Sequence, residues 1–331
     1  MFRKYNSIEN TYRNEFIEKI KDSGFSEYEY VVQEKVHGAN MSFYTKDGEH
    51  FAAAKRTGEL LDGERFYNYE MVLDSIEPNL TLLWKMIKRD YPDMEQITVF
   101  GELFGGYYNH PKVAVDRAAI RTQKGIFYSP SNHFYAFDIL LNLSEYVDVD
   151  RANEYFKKAN LIFAETIFRG SLQQCLEYPN DFESIIYKKF DLPKVDGNVI
   201  EGVVIKPVVP AFFNSGGRVI LKNKNEKWAE KIKRTRKTKP AEKPSDIVLE
   251  LQEIIMTYVT DNRMDNVISK IGEITMKDFG KIMGMFNKDV VEDFTKDNHQ
   301  ALDELDKKEI KIINKSFSDK SRQLVKNRLM R

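Results

Sequence analysis

Lys35 stands where an apolar, strand-like run from Tyr28 to Val32 gives way to His37-Gly38. Glycine lets the backbone pass close to a bulky ligand, and a lysine at the strand end then projects into the same space. Such a lysine becomes a nucleophile once its surroundings lower its pKa from the ordinary value of about 10.4. Four further segments carry charge at strand ends: Lys55-Arg56-Thr57-Gly58, Phe100-Gly101-Glu102, Glu201 through Lys206, and Leu221-Lys222-Asn223-Lys224. A guanidinium at Arg56 suits a phosphate or a ribose hydroxyl. Lys222 and Lys224, at i and i+2, share one face of a strand. If that face meets Lys35, three ammonium groups crowd together, and the one without a fixed anion gives up its proton. A metal held by Glu201 pushes the same way and neutralises a leaving pyrophosphate. For any one segment alone, an ordinary strand with lysines toward solvent is the better reading. The five together describe a nucleotidyl-transfer site.

The elements that must position these groups follow from periodicity. An amphipathic helix is expected over 11–22, with Phe16, Ile17 and Ile20 inward and Gly24 as its stop. Strands are expected over 28–34, 40–45 and 51–55, with Asp47-Gly48 as a hairpin signal. Pro78 reads as the opening of a helix bearing Leu80, Leu83, Trp84 and Ile87. Further strands are expected over 97–102, 133–141, 199–206 and 218–224, and a helix over 148–160. Residues 107–132 read as a long loop without an assigned role. Strands dominate and helices fall irregularly between them, so the class is α+β, built on antiparallel sheets, rather than alternating βαβ.

Beyond residue 231 the texture becomes basic and then wholly helical. Ser245 is placed to cap a helix whose inner face is Ile247, Leu251, Ile254, Ile255 and Tyr258. Thr275 to Asp278 forms a capping-box pattern before Phe279, Ile282 and Met283. A last basic helix is expected over 302–329. Two domains result, 1–240 and a small all-α domain over 241–331.

Composition sets the outer bounds. With 331 residues and 42% hydrophobic content the chain is globular and large enough for two cores. One cysteine, Cys175, excludes a disulfide framework and a cysteine-rich zinc site. There is no signal-peptide pattern and no apolar run of membrane-spanning length, so the expectation is a cytoplasmic protein without a membrane partner. Net charge is zero, yet residues 222–243 hold ten Lys/Arg against three Glu, and 307–331 hold nine against Glu309 and Asp319. A neutral chain so segregated can present a basic face to phosphates, although such runs are more often solvated faces or linkers and serve only as support.

The set Lys35-Val36-His37-Gly38-Ala39-Asn40, Lys55 to Gly58, Phe100-Gly101-Glu102, Phe134 to Asp138, Glu201 to Pro207 and Leu221 to Asn225 resembles the covalent nucleotidyltransferase superfamily. Histidine two residues after the lysine points to its RNA ligase 2 family, best matched in the bacteriophage branch. That likeness extends to Met1 to Tyr5 and to Asn266 to Ile274. It implies a nucleotidyltransferase (ATP-grasp-like ligase) domain followed by the helical domain. It implies ATP as cofactor with Mg²⁺ or Mn²⁺, and nicked double-stranded RNA, or an RNA/DNA hybrid, as partner to a monomeric enzyme in the cytoplasm (of the host, if the source is viral).

By the same resemblance Lys35 takes AMP, which passes to an RNA 5′-phosphate before a 3′-hydroxyl displaces it. Phe137 stacks on adenine, with Glu34 and Val36 along its edge; Glu102 and Arg56 hold the ribose. Glu201 holds the metal, Lys222 and Lys224 the α-phosphate, and Lys206 and Asn40 support the nucleotide. His37 serves the RNA-dependent steps, and Phe66-Tyr67 packs on the sugar at the 3′-hydroxyl side. Arg263 and Lys270 are candidate RNA contacts in the helical domain, taken as an RNA-binding lid. Gln33 and Ala39 replace a basic and a hydroxyl residue and are expected near the RNA phosphate. A capping guanylyltransferase, a DNA ligase and a non-catalytic RNA-binding scaffold are the competing readings. His37 and the want of a recognisable β-barrel domain after residue 240 weigh against the first two, and the full set of charged motif residues against the third.

Overall fold

A computed structural model describes residues 1–61, 63–225, 246–303 and 305–330. These residues form two compact units, one before and one after residues 226–245. The expected boundary at 240, the Ser245 cap and most of the basic run over 222–243 lie outside the described residues. Among them, no helix is long and apolar enough to cross a membrane.

The first unit holds strands β1 (Glu9–Asn10), β2 (Tyr30–Lys35), β3 (Ala39–Thr45), β4 (Ala52–Lys55), β5 (Gly58–Glu59) and β6 (Ile97–Gly105). It continues with β7 (Asn132–Leu141), β8 (Glu145–Tyr146), β9 (Thr166–Gly170), β10 (Gly202–Pro207) and β11 (Leu221–Lys224). They make two sheets, one ordered β1-β11-β10-β2-β9 and the other β5-β4-β3-β6-β7-β8. All pairs are antiparallel except the short β1–β11 pair. With the helical second unit this is the α+β class read from the sequence.

Helix α1 (Asn14–Asp22) packs Ile17 and Ile20 onto the first sheet with Tyr30, Val32 and Val203. Full burial of each such side chain is worth about 1.5–3 kcal/mol. Helices α2 (Tyr69–Asp90) and α3 (Val149–Lys158) cover the outer face of the second sheet, meeting Phe43, Val99 and Ile139. The short α4 (Leu172–Leu176) completes the other outer layer. The inner faces of the two sheets meet through Val36, Phe104 and Tyr135 at one place and through Tyr5, Phe100 and Ile220 at another.

Pro78 lies inside α2 instead of opening it. The apolar face begins earlier, with Tyr69 and Val72 buried beside Leu80 and Leu83. Packing along that face outweighs the one backbone hydrogen bond that proline removes.

The second unit is wholly helical among the described residues: α5 (Asp246–Thr257), α6 (Asp261–Ile271), α7 (Phe279–Asp297), α8 (His299–Asp303), α9 (Lys307–Ser316) and α10 (Ser318–Leu329). Its core joins Val248, Leu251 and Ile255 to Phe286, Phe294 and Phe317. The Thr275–Asp278 capping box is formed. The single long last helix is instead three. Asp306 and Glu309 cap each other's backbone N–H groups at the start of α9, and buried Phe317 turns the chain into α10.

Candidate active site

Three strands of the first sheet bring the charged motifs into one row. Lys35 at the end of β2 lies opposite Gly202 of β10, and Gly202 lies opposite Lys224 of β11. A Cβ at Gly202 would come within 2.2 Å of the Asn223 carbonyl oxygen, so only glycine lets β10 and β11 close here. The residue before it, Glu201, is buried and gathers three side chains. Its Oε2 accepts from Lys35 Nζ at 2.7 Å and lies 3.3 Å from His37 Nδ1, while its Oε1 lies 3.2 Å from Lys224 Nζ. Lys222 stands two register pairs further along β11, opposite Val204, on the same strand face as Lys224.

The chain leaves the first sheet at Lys35 and enters the second at Ala39, so the turn Val36-His37-Gly38 has no ladder of its own. Gly38 passes so close to β6 that a Cβ would sit 2.3 Å from Leu103 O and 2.8 Å from Glu102 Cγ. Its N–H bonds to Glu102, which pairs in register with Asn40. The loop before β7 supplies the remaining partners: Tyr128 Oη accepts from His37 N at 3.0 Å, and Gln123 Nε2 donates to Gly38 O at 2.8 Å. Sequence singles out neither residue, because nothing in a polar loop marks which side chain will meet a distant backbone.

Electrostatics here differ from the expected crowd of ammonium groups. Burial works against the Glu201 charge, but Lys35, Lys224 and His37 hold its pKa well below the carboxylate range. Burial likewise disfavours charged Lys35, yet Glu201 and then Glu102 outweigh it and raise the lysine's pKa. The expectation of a depressed Lys35 is therefore corrected for this state: a carboxylate sits among the lysines and offsets their repulsion. Glu102, dominated by burial, is pushed up to about 7.

Arg56 follows β4 and reaches toward the Asn6 carbonyl, with Glu102 near enough to act on its charge. Phe137 is half-buried against Tyr5, ring centres 5.0 Å apart. Val36 is buried on the inner face of the sheets with Tyr128 and Tyr135. Glu34 lines a cavity of about 230 Å³ with Tyr135, Phe163, Glu165 and Lys188. Its Oε1 has no hydrogen-bond partner among the described residues, and burial raises its pKa to about 7.

Other expected residues fall elsewhere. Lys206, at the far end of β10, is buried and donates to Phe137 O and Asp138 Oδ1, both at 2.9 Å, so it props Phe137 and does not join the Glu201 row. Asp138 is also forked by Arg218, at 2.9 and 3.1 Å, and bonded by Tyr5. Phe66 is corrected from a sugar-facing ring to a core side chain with no exposed surface; Tyr67 is half-buried on a left-handed backbone, φ 51°. Gln33 and Ala39 are corrected as well. Gln33 is buried and donates to Ala164 O where the β2–β9 register shifts, and Ala39 is in the core. Arg263 does not face solvent: it is buried, bonded to Asp289 at 2.6 Å and Asp293 at 3.0 Å, and ties α6 to α7. Lys270 is half-buried and pairs with Asp289 at 3.1 Å.

Against known proteins, the family model described as RNA ligase matches residues 28–224, the span that contains every residue of the Glu201 row. The chain belongs to the RNA ligase family. It is an ATP-dependent RNA ligase, and its RNA ligase 2 character is carried by a second match, the T4 RNA ligase 2 C-terminal model over residues 241–323. Among relatives, it is 28% identical to the mitochondrial RNA-editing ligase 2 of Trypanosoma brucei brucei, over 91% of this chain and 85% of that one. It is also 28% identical to the mitochondrial RNA-editing ligase 1 of the same organism, over 85% of this chain and 73% of the other. Among solved structures, an apo RNA ligase of Naegleria gruberi is similar at TM-score 0.44 and 18% identity, over 69% of this chain. The chain spans 57% of that ligase's length.

Proposed function

We propose that this RNA ligase seals nicks in duplex RNA, joining 3′-hydroxyl to 5′-phosphate through a lysyl-AMP and an RNA-adenylate intermediate. One observation carries the reading: Lys35 Nζ lies 2.7 Å from a buried carboxylate that Lys224 and His37 also reach. Lys35 Nζ, neutral once it has released a proton to solvent, attacks the α-phosphorus of ATP; the N–P bond forms as the bond to pyrophosphate breaks. Lys224, with Lys222 on the same strand face, holds the α-phosphate oxygens. Phe137 offers a ring face to adenine, and Glu102 with Arg56 takes the ribose. Asn40, opposite Glu102, supports the nucleotide. The RNA 5′-phosphate then displaces the lysine, and a 3′-hydroxyl displaces AMP. Positioning and charge neutralisation do most of this work.

The donor set fits a hard divalent cation of the Mg²⁺ or Mn²⁺ kind. No group of three or more metal-ligating side chains occurs among the described residues, but one carboxylate with substrate phosphates is how such ions are usually held. When bound at Glu201 it would take up the carboxylate charge that keeps Lys35 protonated and would neutralise the phosphates. The helical unit is assigned to RNA through its match to the RNA ligase 2 C-terminal model and its basic last two helices.

Mass spectrometry after incubation with ATP and Mg²⁺ tests the reading. A single AMP adduct on Lys35 is expected. No adduct, or one mapped to another side chain, overturns the nucleophile assignment; labelling by GTP alone would favour a capping enzyme.

A further inference from the structure

Residues 106–131 join β6 to β7 without a helix or strand. Loops of such length inside a compact unit usually serve as lids or binding loops. This one is fixed at its base. Gly106 N donates to Ser131 O at 3.1 Å, and Asn132 exchanges two 2.8 Å hydrogen bonds with the Ile120 backbone. Tyr128 and Gln123 grip the His37-Gly38 turn, two residues from Lys35. The loop therefore rises beside the nucleophile.

Its charge is one-sided. Lys112, Arg117, Arg121 and Lys124 are exposed, and Asp116 is the one acid among residues 106–131. Asp116 is occupied by the Ala118 N–H at 2.9 Å. Arg121 lies over the Tyr107 ring at 4.4 Å and donates to Gln123 O, so it belongs to the loop's own frame. Lys112, Arg117 and Lys124 have no carboxylate partner among the described residues.

We propose that this loop is an RNA-binding arm, with Lys112, Arg117 and Lys124 taking backbone phosphates of the duplex beside the nick. Solvated cations lose little in meeting phosphates, and the release of condensed counterions drives the association without regard to sequence. The inference rests on the ligase reading above.

The test uses the full chain with Lys112, Arg117 and Lys124 changed to Ala together, substitutions confined to exposed positions. Self-adenylylation with labelled ATP should match the parent. Affinity for a nicked RNA duplex should fall on the order of tenfold, and the slope of log K against log [KCl] should flatten by roughly 0.9 for each phosphate that the variant no longer neutralises. Unchanged affinity and slope overturn the proposal, as for a loop that meets a protein partner instead. A loss of self-adenylylation in the same proportion also overturns it, since the loop would then act through the Lys35 turn. Failure of the ligase reading shows separately, as an absent AMP adduct in the parent protein.

Discussion

Glu201 and Asp138 are both buried carboxylates with two cations and a further side chain on them. They do opposite things. Around Asp138 the partners are sealed, with Lys206 2% and Arg218 1% exposed, and these cations hold the carboxyl at about 2 despite its burial. The group ties β7 to β10 and to the chain leading into β11, and its lysine seats Phe137. Around Glu201 the lysines stay reachable, Lys35 20% and Lys224 10% exposed. A cation that can turn to water or to a phosphate can exchange its partner, and one that cannot is architecture. Solvent access, not composition, separates the two clusters.

The largest effect should come from Lys35→Arg. A guanidinium keeps the ion pair with Glu201 but stays protonated, with a pKa above about 12, so self-adenylylation should vanish while the melting temperature holds. Turnover at the parent's rate would remove Lys35 as nucleophile. A large loss of stability would make the Glu201 cluster structural after all, and the contrast would fail.

Next come Asp138→Asn and Glu201→Gln, compared by urea unfolding. Removing Asp138 leaves two sealed cations uncompensated and should cost about 3–5 kcal/mol. Glu201→Gln should cost clearly less, because Lys35 can reach water, although it should abolish activity. Equal costs would break the comparison.

The Glu201 row is legible in the sequence, because lysines at i and i+2 and a carboxylate before a glycine-led strand fix faces and ends within single segments. The Asp138 group is half legible. Asp138 and Tyr5 lie in recognised motifs and Arg218 opens an expected strand, but their meeting depends on how two sheets face each other. Arg263 and Phe66 escape sequence reasoning for a related cause: a charged or aromatic residue at helical or turn spacing does not reveal whether it faces solvent or core. Tyr128 and Gln123 leave no sequence signal, since their partners are backbone atoms 91 and 85 residues away.

Glu34 extends the comparison to a buried carboxyl with no cation bonded to it. Folded Glu34 keeps its proton up to about pH 7, against the ordinary 4.5 of the unfolded chain. The folded state thus binds more protons between those values and loses stability as pH rises through them. Glu34→Gln removes that loss, so its stability relative to the parent should grow from pH 5 to pH 8 by about 1–3 kcal/mol. A gap that does not change with pH would mean that Glu34 is charged and solvated.

The smallest effect is expected from Tyr128→Phe, which bears on why the Glu201 cluster stays open and yet ordered. The hydroxyl takes the His37 N–H in a turn without strand pairing, and losing that acceptor should cost about 1 kcal/mol of stability. Because His37 lies on Glu201, the loosened turn should slow transfer of AMP to RNA more than it weakens ATP binding: a lower single-turnover rate from pre-adenylylated enzyme, with KM for ATP in self-adenylylation little changed. A merely structural role would lower the melting temperature and leave the per-molecule rate of the folded enzyme intact. In that event the opening around Glu201 would be held by Gly38 and the two sheets alone, and the loop before β7 would have no part in positioning His37.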